Sequence, residues 1–219
     1  GSQKTLDLIK KPLDLSEANI LVNNVKKKYP ELYMNSGFMI GFPFETKEEI
    51  IKTFEYSKKL ELDWAVYNNF RPFPGTELYD TCVEQGILEK FKFENFDEST
   101  RPYGSGSRAK KEKDESHFDG KDWTKKWLMD TLYWYNLDVN FINSYNLKAG
   151  NYEQALRDFE YVARSFDNHA IGHRQASIAA SKLNLSDKAK QHALEEKKIM
   201  SNGSMFHKYY KEFSINTIL

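Results

Sequence analysis

The chain has 219 residues, which is enough for one domain of moderate size or two small ones. Its 32 Lys and Arg residues balance 32 Asp and Glu residues, so no net charge draws nucleic acid or an anionic membrane surface. No apolar run approaches the ~20 residues that span a bilayer. We therefore expect a cytoplasmic globular protein that has neither nucleic acid nor a membrane as partner. Cys82 is the only cysteine, which excludes an internal disulfide.

Two helices are predicted before the first strand. The first covers residues 5–10 and is stopped by Pro12, because proline removes a backbone donor. Ser16 has the side chain of a helix N-cap and is predicted to begin the second, longer helix. That helix carries an apolar stripe at helical spacing, which predicts one face packed on the protein. The stripe is Ala18, Leu21, Val22, Val25 and Tyr29.

Residues 34–46 read as a buried strand, a sharp turn and the start of a helix. Met34, Phe38, Met39 and Ile40 make the strand apolar on both faces, as is typical of a parallel strand covered by helices. The strand also holds Gly37 and Gly41, the residue type that strands use where another backbone or a ligand comes close. Pro43 ends the extended run, and Thr46 with Glu49 forms a capping box for the next helix.

The same plan of strand, Pro/Gly turn and helix recurs at residues 63–79. Its strand runs over residues 64–70, and Gly86 is the predicted left-handed residue after its helix. Asn68 and Asn69 are polar for a buried strand. Either one of them faces the lumen of a barrel, or both mark a fraying strand end. Arg71 follows the strand and could bind a carboxylate or a phosphate, although a structural ion pair is the commoner use.

The composition changes at residues 99–120, which have almost no apolar content and include Gly-Ser-Gly-Ser. This segment predicts a flexible connection between two domains, and a lid over a substrate is the alternative. We therefore divide the chain into residues 1–98, a connection at 99–120 and residues 121–219.

The last part is predicted to be all-α and to contain a degenerate repeat of 34 residues. Gly150-Asn151-Tyr152-Glu153-Gln154-Ala155 resembles the Gly-x-Tyr-x-x-Ala turn of tetratricopeptide repeats. One period later, Asn184 falls on Gly150 and Ala189 falls on Ala155. Small residues at this period are the signature of stacked helical hairpins. Such a stack could bind a protein or peptide partner.

Two segments together carry a resemblance to a known family: GFMIGFPFET and FRPFPGTELYD. They resemble the last two strand–turn–helix units of radical S-adenosylmethionine (radical SAM) enzymes, in the subgroup that often has an N-terminal cobalamin-binding domain. The opening GSQKTLDLIKKPLDL is similar to the segment that ends the family's fourth strand. The resemblance covers residues 1–88 and departs at Phe44, where the family usually has Gly. It implies that this part of the chain is a segment of a (β/α) barrel, and the helical-hairpin domain predicted from the 34-residue repeat follows it.

What the resemblance implies for function is a site for S-adenosylmethionine. The resemblance implies backbone and apolar contacts to the adenine from two groups of residues: Met39, Ile40 and Gly41 of the first strand, and Arg71, Phe73 and Pro74 after the second. It also implies that Ser2 lies near the ribose or the amino-acid moiety.

The same resemblance implies a 4Fe-4S cluster held by a Cys-x-x-x-Cys-x-x-Cys loop. A single cysteine cannot supply three thiolates, so we expect a missing N-terminal portion of the barrel as partner, and no metal ligands in this chain. Gly1 and Ser2 could instead be residues added for expression, but Gln3 continues the family pattern. Cobalamin is a further cofactor that the subgroup admits.

Other candidate chemistry is sparse. His169 and His173 have the spacing of metal ligands on a helix, but no third ligand is evident, and Cys82 reads as a small buried hydrophobe. Two functions follow. One is a radical SAM enzyme that carries out methyl transfer or rearrangement, with this chain inactive alone. The other is a protein-interaction module on the repeats, with a non-catalytic barrel remnant.

Overall fold

The structure is a computed structural model that describes residues 1–87 and 118–216. Within these ranges, a short α/β segment is followed by a run of helices. None of the described helices combines the length and the apolar composition that a membrane span requires. The elements in chain order are α1 (Gln3–Leu8), α2 (Leu15–Lys28), β1 (Asn35–Ile40), α3 (Lys47–Lys59), β2 (Trp64–Asn69), α4 (Glu77–Glu84), α5 (Lys125–Leu137), a π-helical segment (Asp138–Ile142), α6 (Tyr145–Ala149), α7 (Tyr152–Ser165), α8 (Ala170–Lys182), α9 (Ser186–Ser201) and α10 (Phe206–Glu212).

The cap of α2 differs from the prediction. The carboxylate of Asp14 accepts hydrogen bonds from the backbone N–H groups of Ser16 (2.8 Å) and Glu17 (3.0 Å). The helix therefore begins at Leu15, and the prediction that Ser16 is the N-cap is wrong. The predicted stripe is also poorly covered, since Leu21 is 62% exposed.

β1 and β2 form a parallel pair, as predicted, in a register that runs from Asn35 opposite Trp64 to Ile40 opposite Asn69. Phe38 and Ile40 lie on the covered face, where they are buried. The prediction that the strand is buried on both faces is wrong for the described residues, because their helices cover only one face. The other is the open face, on which Gly37, Met39, Val66 and Asn68 are exposed.

The covered face forms a core with α3 and α5. The predicted capping box of α3 is confirmed: Thr46 and Glu49 each accept from the other's backbone N–H. Phe54 of α3 is fully buried and stacks on Tyr135 of α5, with the ring centroids 4.1 Å apart. Ile40 belongs to the same core. The first helix after the predicted connection thus packs directly on the α/β segment.

A side chain from the π-helical segment forms hydrogen bonds with the edge of β2 that faces away from β1. The Asn140 amide accepts a hydrogen bond from the Ala65 N–H (2.8 Å) and donates one to the Ala65 carbonyl (2.9 Å). Asn140 is only 2% exposed. Its amide therefore pairs with both backbone groups of Ala65, as a residue of a third strand would.

The remaining helices pack as hairpins, with α8 between α7 and α9. Ala155 and Ala189 are both buried, and Gly150 and Asn184 both have positive φ (82° and 59°). A mostly helical region is confirmed by these observations, and its kinship with tetratricopeptide repeats stays a prediction. The predicted connection at 99–120 lies outside the described residues up to residue 117, so the division into domains also stays a prediction.

Candidate functional site

The carboxyl ends of β1 and β2 bring the two predicted turns to one edge of the sheet. Ile40 and Asn69 are paired at the strand ends, and the Phe70 N–H donates to the Ile40 carbonyl at 2.6 Å. Just beyond, the rings of Phe42 and Phe70 stack with their centroids 4.6 Å apart. In open α/β sheets, ligands bind beyond the carboxyl ends of the strands. We call this edge, with the turns of residues 41–46 and 70–76, the turn edge.

A buried carboxylate organises the first turn. The Glu45 side chain is fully buried and accepts hydrogen bonds from the N–H groups of Gly41 (2.8 Å) and Phe42 (3.0 Å) and from the Thr5 hydroxyl (3.1 Å). Burial raises the pKa of Glu45, while these three hydrogen bonds oppose that shift. Two backbone N–H groups of the turn are thus bound by the protein itself. A ligand at the turn edge would meet side chains and other backbone groups instead.

Glu45 was not among the residues singled out from the sequence. The signal available was a Glu between the Gly-Phe-Pro turn and the capping residue Thr46. Nothing in that local pattern shows that the carboxylate folds back into the turn.

Gly41 is required at its position for two reasons. Its φ of +81° lies in the left-handed region, which side chains disfavour. A Cβ here would also lie 2.6 Å from Cδ2 of Leu128 in α5. From the same direction, the Trp123 indole N–H donates to the Glu45 carbonyl at 2.9 Å. The turn is therefore held between α1 and the residues at the start of α5.

The predicted binding residues differ in what they can offer a ligand. Met39 lies on the open face and is 51% exposed, and Phe73 is 52% exposed after β2. Ile40 is fully buried on the covered face, so only its backbone could contact a ligand. Gly41 is buried, and Arg71 and Pro74 are half-buried.

Two further polar residues, Asn68 and Ser2, lie near this edge. The register pairs Asn68 with Met39, so Asn68 is the asparagine of the predicted pair that lies on the open face. Ser2 is buried, and its hydroxyl accepts from the Thr5 N–H as the cap of α1. Because Thr5 also donates to Glu45, Ser2 is held beside the first turn.

The residues of this chain do not fit an iron–sulfur cluster. Cys82 is the single cysteine of the sequence and is fully buried, and burial raises the pKa of its thiol to about 11. Among the described residues, no group of three or more His, Cys, Asp or Glu side chains could hold a metal ion. A 4Fe-4S cluster needs thiolates, so its ligands would have to come from outside these 219 residues.

The two histidines with metal-ligand spacing contact different partners. The Nδ1 atom of His169 accepts from the Gly172 N–H (2.8 Å), which makes His169 the cap of α8. His173 instead contacts His192 of α9, with 3.0 Å between their Nδ1 atoms.

Comparisons with known proteins give partial similarities to a methyltransferase and to synthases of a methylthio-modified tRNA nucleoside. The chain is 33% identical over 88 residues to an uncharacterized methyltransferase of Pyrococcus horikoshii, a match of 40% of this chain and 19% of the relative. It is 40% identical over 63 residues to the tRNA-2-methylthio-N(6)-dimethylallyladenosine synthase of Buchnera aphidicola (29% of this chain and 14% of the relative). The synthase of the same name from Clostridium tetani is 29% identical over 96 residues (44% and 21%).

The chain thus spans about a fifth or less of the length of these curated relatives. No family model and no solved structure matches it. These results show a distant, partial similarity to a methyltransferase and to synthases of a methylthio-modified tRNA nucleoside. To that extent they support the radical SAM resemblance. The cobalamin-associated subgroup stays a prediction.

Proposed function

We propose that this chain is the C-terminal portion of a radical SAM enzyme that transfers a methyl or methylthio group, and that the adenosine part of S-adenosylmethionine binds at the turn edge. The observation that carries the proposal is the juxtaposition of the two strand–turn–helix units, joined by the Phe70–Ile40 hydrogen bond and the Phe42–Phe70 stack. The partial similarity to methyl-transferring enzymes supports the same reaction class.

The residues at the turn edge suit an adenine ring. Met39 presents an apolar, polarizable side chain on the open face, and the amide of its strand partner Asn68 can hydrogen-bond a base edge. Phe73 places an aromatic ring, 52% exposed, just after β2 at the same edge. Gly41 lets the backbone turn away without a side chain at the strand end. The remaining residues of the proposed site lie around the same ligand: Ile40, Arg71, Pro74 and Ser2.

In this family, S-adenosylmethionine at a 4Fe-4S cluster supplies a radical that abstracts hydrogen from the substrate. The present residues would bind and orient the adenosine part. The cluster ligands would come from a further portion of the barrel, which the single cysteine and the short coverage of the relatives both support. Anaerobic reconstitution with iron and sulfide should therefore leave the isolated chain without a cluster, and a stoichiometric cluster would contradict this part of the proposal.

The site itself can be tested by filling the open face beside Met39. A Cβ at Gly37 has no atom within 4 Å, and valine suits a strand, so Gly37→Val should fold. Its side chain would occupy space next to the proposed adenine. Asn35→Val is the matched control, because it adds the same side chain to the exposed amino end of β1.

Calorimetric titration with S-adenosylhomocysteine gives the readout. We expect saturable binding to the unaltered chain, about tenfold weaker binding to Gly37→Val (about 1.4 kcal/mol) and no change for Asn35→Val. Binding that is equally strong in all three proteins would place the ligand elsewhere, and no binding to the unaltered chain would contradict the proposal.

A further inference from the structure

A cavity opens at the amino end of the sheet, between the α/β segment and the helices. Its volume is about 410 Å³, which is within the range of small-molecule sites. Six aromatic residues line it, and we call it the aromatic cleft. They are Tyr33, Trp64, Tyr133, Phe141, Tyr161 and Phe166.

The aromatic cleft is separate from the turn edge. Trp64 is the first residue of β2, whereas the turn edge begins after Asn69, the last. Five residue steps at about 3.3 Å each put the two ends of the strand roughly 17 Å apart. A molecule bound in the cleft would therefore not occupy the proposed adenosine site.

Among the described residues, the side chains that line the cleft include one carboxylate and no cation. The carboxylate is that of Asp158, and no described Lys or Arg lines the cleft. Oδ1 of Asp158 accepts from Gln154 Nε2 (2.9 Å) and from the Tyr33 hydroxyl (3.4 Å), and Oδ2 lies 3.5 Å from Asn146 Nδ2. All three donors are neutral, and no ion pair involves Asp158 among the described residues. Its negative charge is thus left without a counter-charge.

The histidine in the cleft does not supply that counter-charge. Nδ1 of His169 accepts from the Gly172 N–H, so the ring carries its proton on Nε2. Burial lowers the pKa of His169 to about 4 and raises that of Asp158 to about 6. At neutral pH the aromatic cleft therefore holds a net negative charge among aromatic side chains, and the face of an aromatic ring is itself negative.

We propose that the aromatic cleft binds a small organic cation, namely an alkylated ammonium group. Ring faces attract such a cation, most strongly when it is alkylated and easily desolvated, and the carboxylate of Asp158 adds a direct charge interaction. The apolar walls favour its alkyl groups, whereas a strongly hydrated inorganic cation would gain little from them.

The test compares choline with its neutral isostere 3,3-dimethylbutan-1-ol, by calorimetric or NMR titration of the 219-residue chain. Both have the same shape, so only the charge distinguishes them. We expect choline to bind at least about tenfold more tightly than the alcohol, consistent with a desolvated cation–π contact. Equal binding of the two, or no saturable binding of choline, would overturn the proposal.

Two variants and one control locate the site. Asp158→Asn removes the charge with little change in size, and Tyr161→Leu removes a ring that is 68% exposed and so buries little surface on folding. Each should weaken choline binding about fivefold or more while leaving the alcohol almost unchanged. Glu153→Gln removes an exposed carboxylate of the same helix outside the aromatic cleft and should have no effect. A Glu153→Gln effect as large as that of Asp158→Asn would refute the assignment.

Discussion

Replacing Glu45 tests how the turn edge is held. Glu45→Ala removes the one acceptor that the described residues provide for the N–H groups of Gly41 and Phe42, both of which lie in a buried turn. A buried donor without a partner costs about 1–3 kcal/mol, so two cost about 2–6 kcal/mol. Part of this is offset, because the raised pKa of Glu45 means that its ionised form is penalised by burial at neutral pH. We expect a net loss of roughly 2–4 kcal/mol.

Glu45→Gln is the matched variant. Its amide oxygen can accept from both N–H groups, and its amide nitrogen can donate to the Thr5 hydroxyl. Since the burial cost of the charge disappears, Glu45→Gln should stay within about 1 kcal/mol of the unaltered chain at pH 7. Urea unfolding monitored by circular dichroism, with an unchanged m-value, measures both. A loss below about 1 kcal/mol for Glu45→Ala, or equal losses for the two variants, would refute the role assigned to the carboxylate.

Three further predictions concern the helices. Asn140→Leu removes both hydrogen bonds to the backbone of Ala65 and should lower the free energy of unfolding in urea by about 2–4 kcal/mol. A change under about 1 kcal/mol would show that the β2 edge does not need the Asn140 amide. His169 has a folded pKa of about 4, below its unfolded value, so the unfolded state binds more protons between pH 6.5 and 4. The free energy of unfolding should thus fall by up to about 3 kcal/mol as pH drops through that window, and His169→Asn should reduce this dependence on pH. If His169→Asn shows the same pH dependence as the unaltered chain, other groups cause it. Ala155→Leu should cost about 1–3 kcal/mol by overpacking a fully buried position, whereas Arg157→Leu on the exposed face should cost little; equal thermal melts would contradict the packing.

Local patterns predicted much of the fold. The strand predicted at residues 64–70 is observed as Trp64–Asn69, and the Thr46–Glu49 capping box is confirmed. Such features depend on residues within one or two turns of each other, which is why the sequence alone reveals them. The cap of α2 was misplaced because Asp14 and Ser16 are both good cap residues two positions apart.

Long-range partners could not be read from the same patterns. Asn140 pairs with Ala65 across 75 residues, and Thr5 reaches Glu45 across 40. Whether an apolar strand residue is covered also depends on elements far along the chain. Met39 and Ile40 are adjacent and both apolar, yet one is 51% exposed and the other fully buried. The sequence therefore predicted that the two strand ends lie side by side, but not that Met39 is exposed while Ile40 is buried.

The most direct test of the central claim is an NMR titration of the isotopically labelled chain with S-adenosylhomocysteine, following backbone amide signals. We predict saturable shifts for Met39, Gly41 and Phe73 at the turn edge, with little change for Asn35 at the amino end of β1 or for Trp64 in the aromatic cleft. Shifts confined to Trp64 and its neighbours, or no saturable shift at the turn edge, would contradict binding of the adenosine part at the carboxyl ends of β1 and β2.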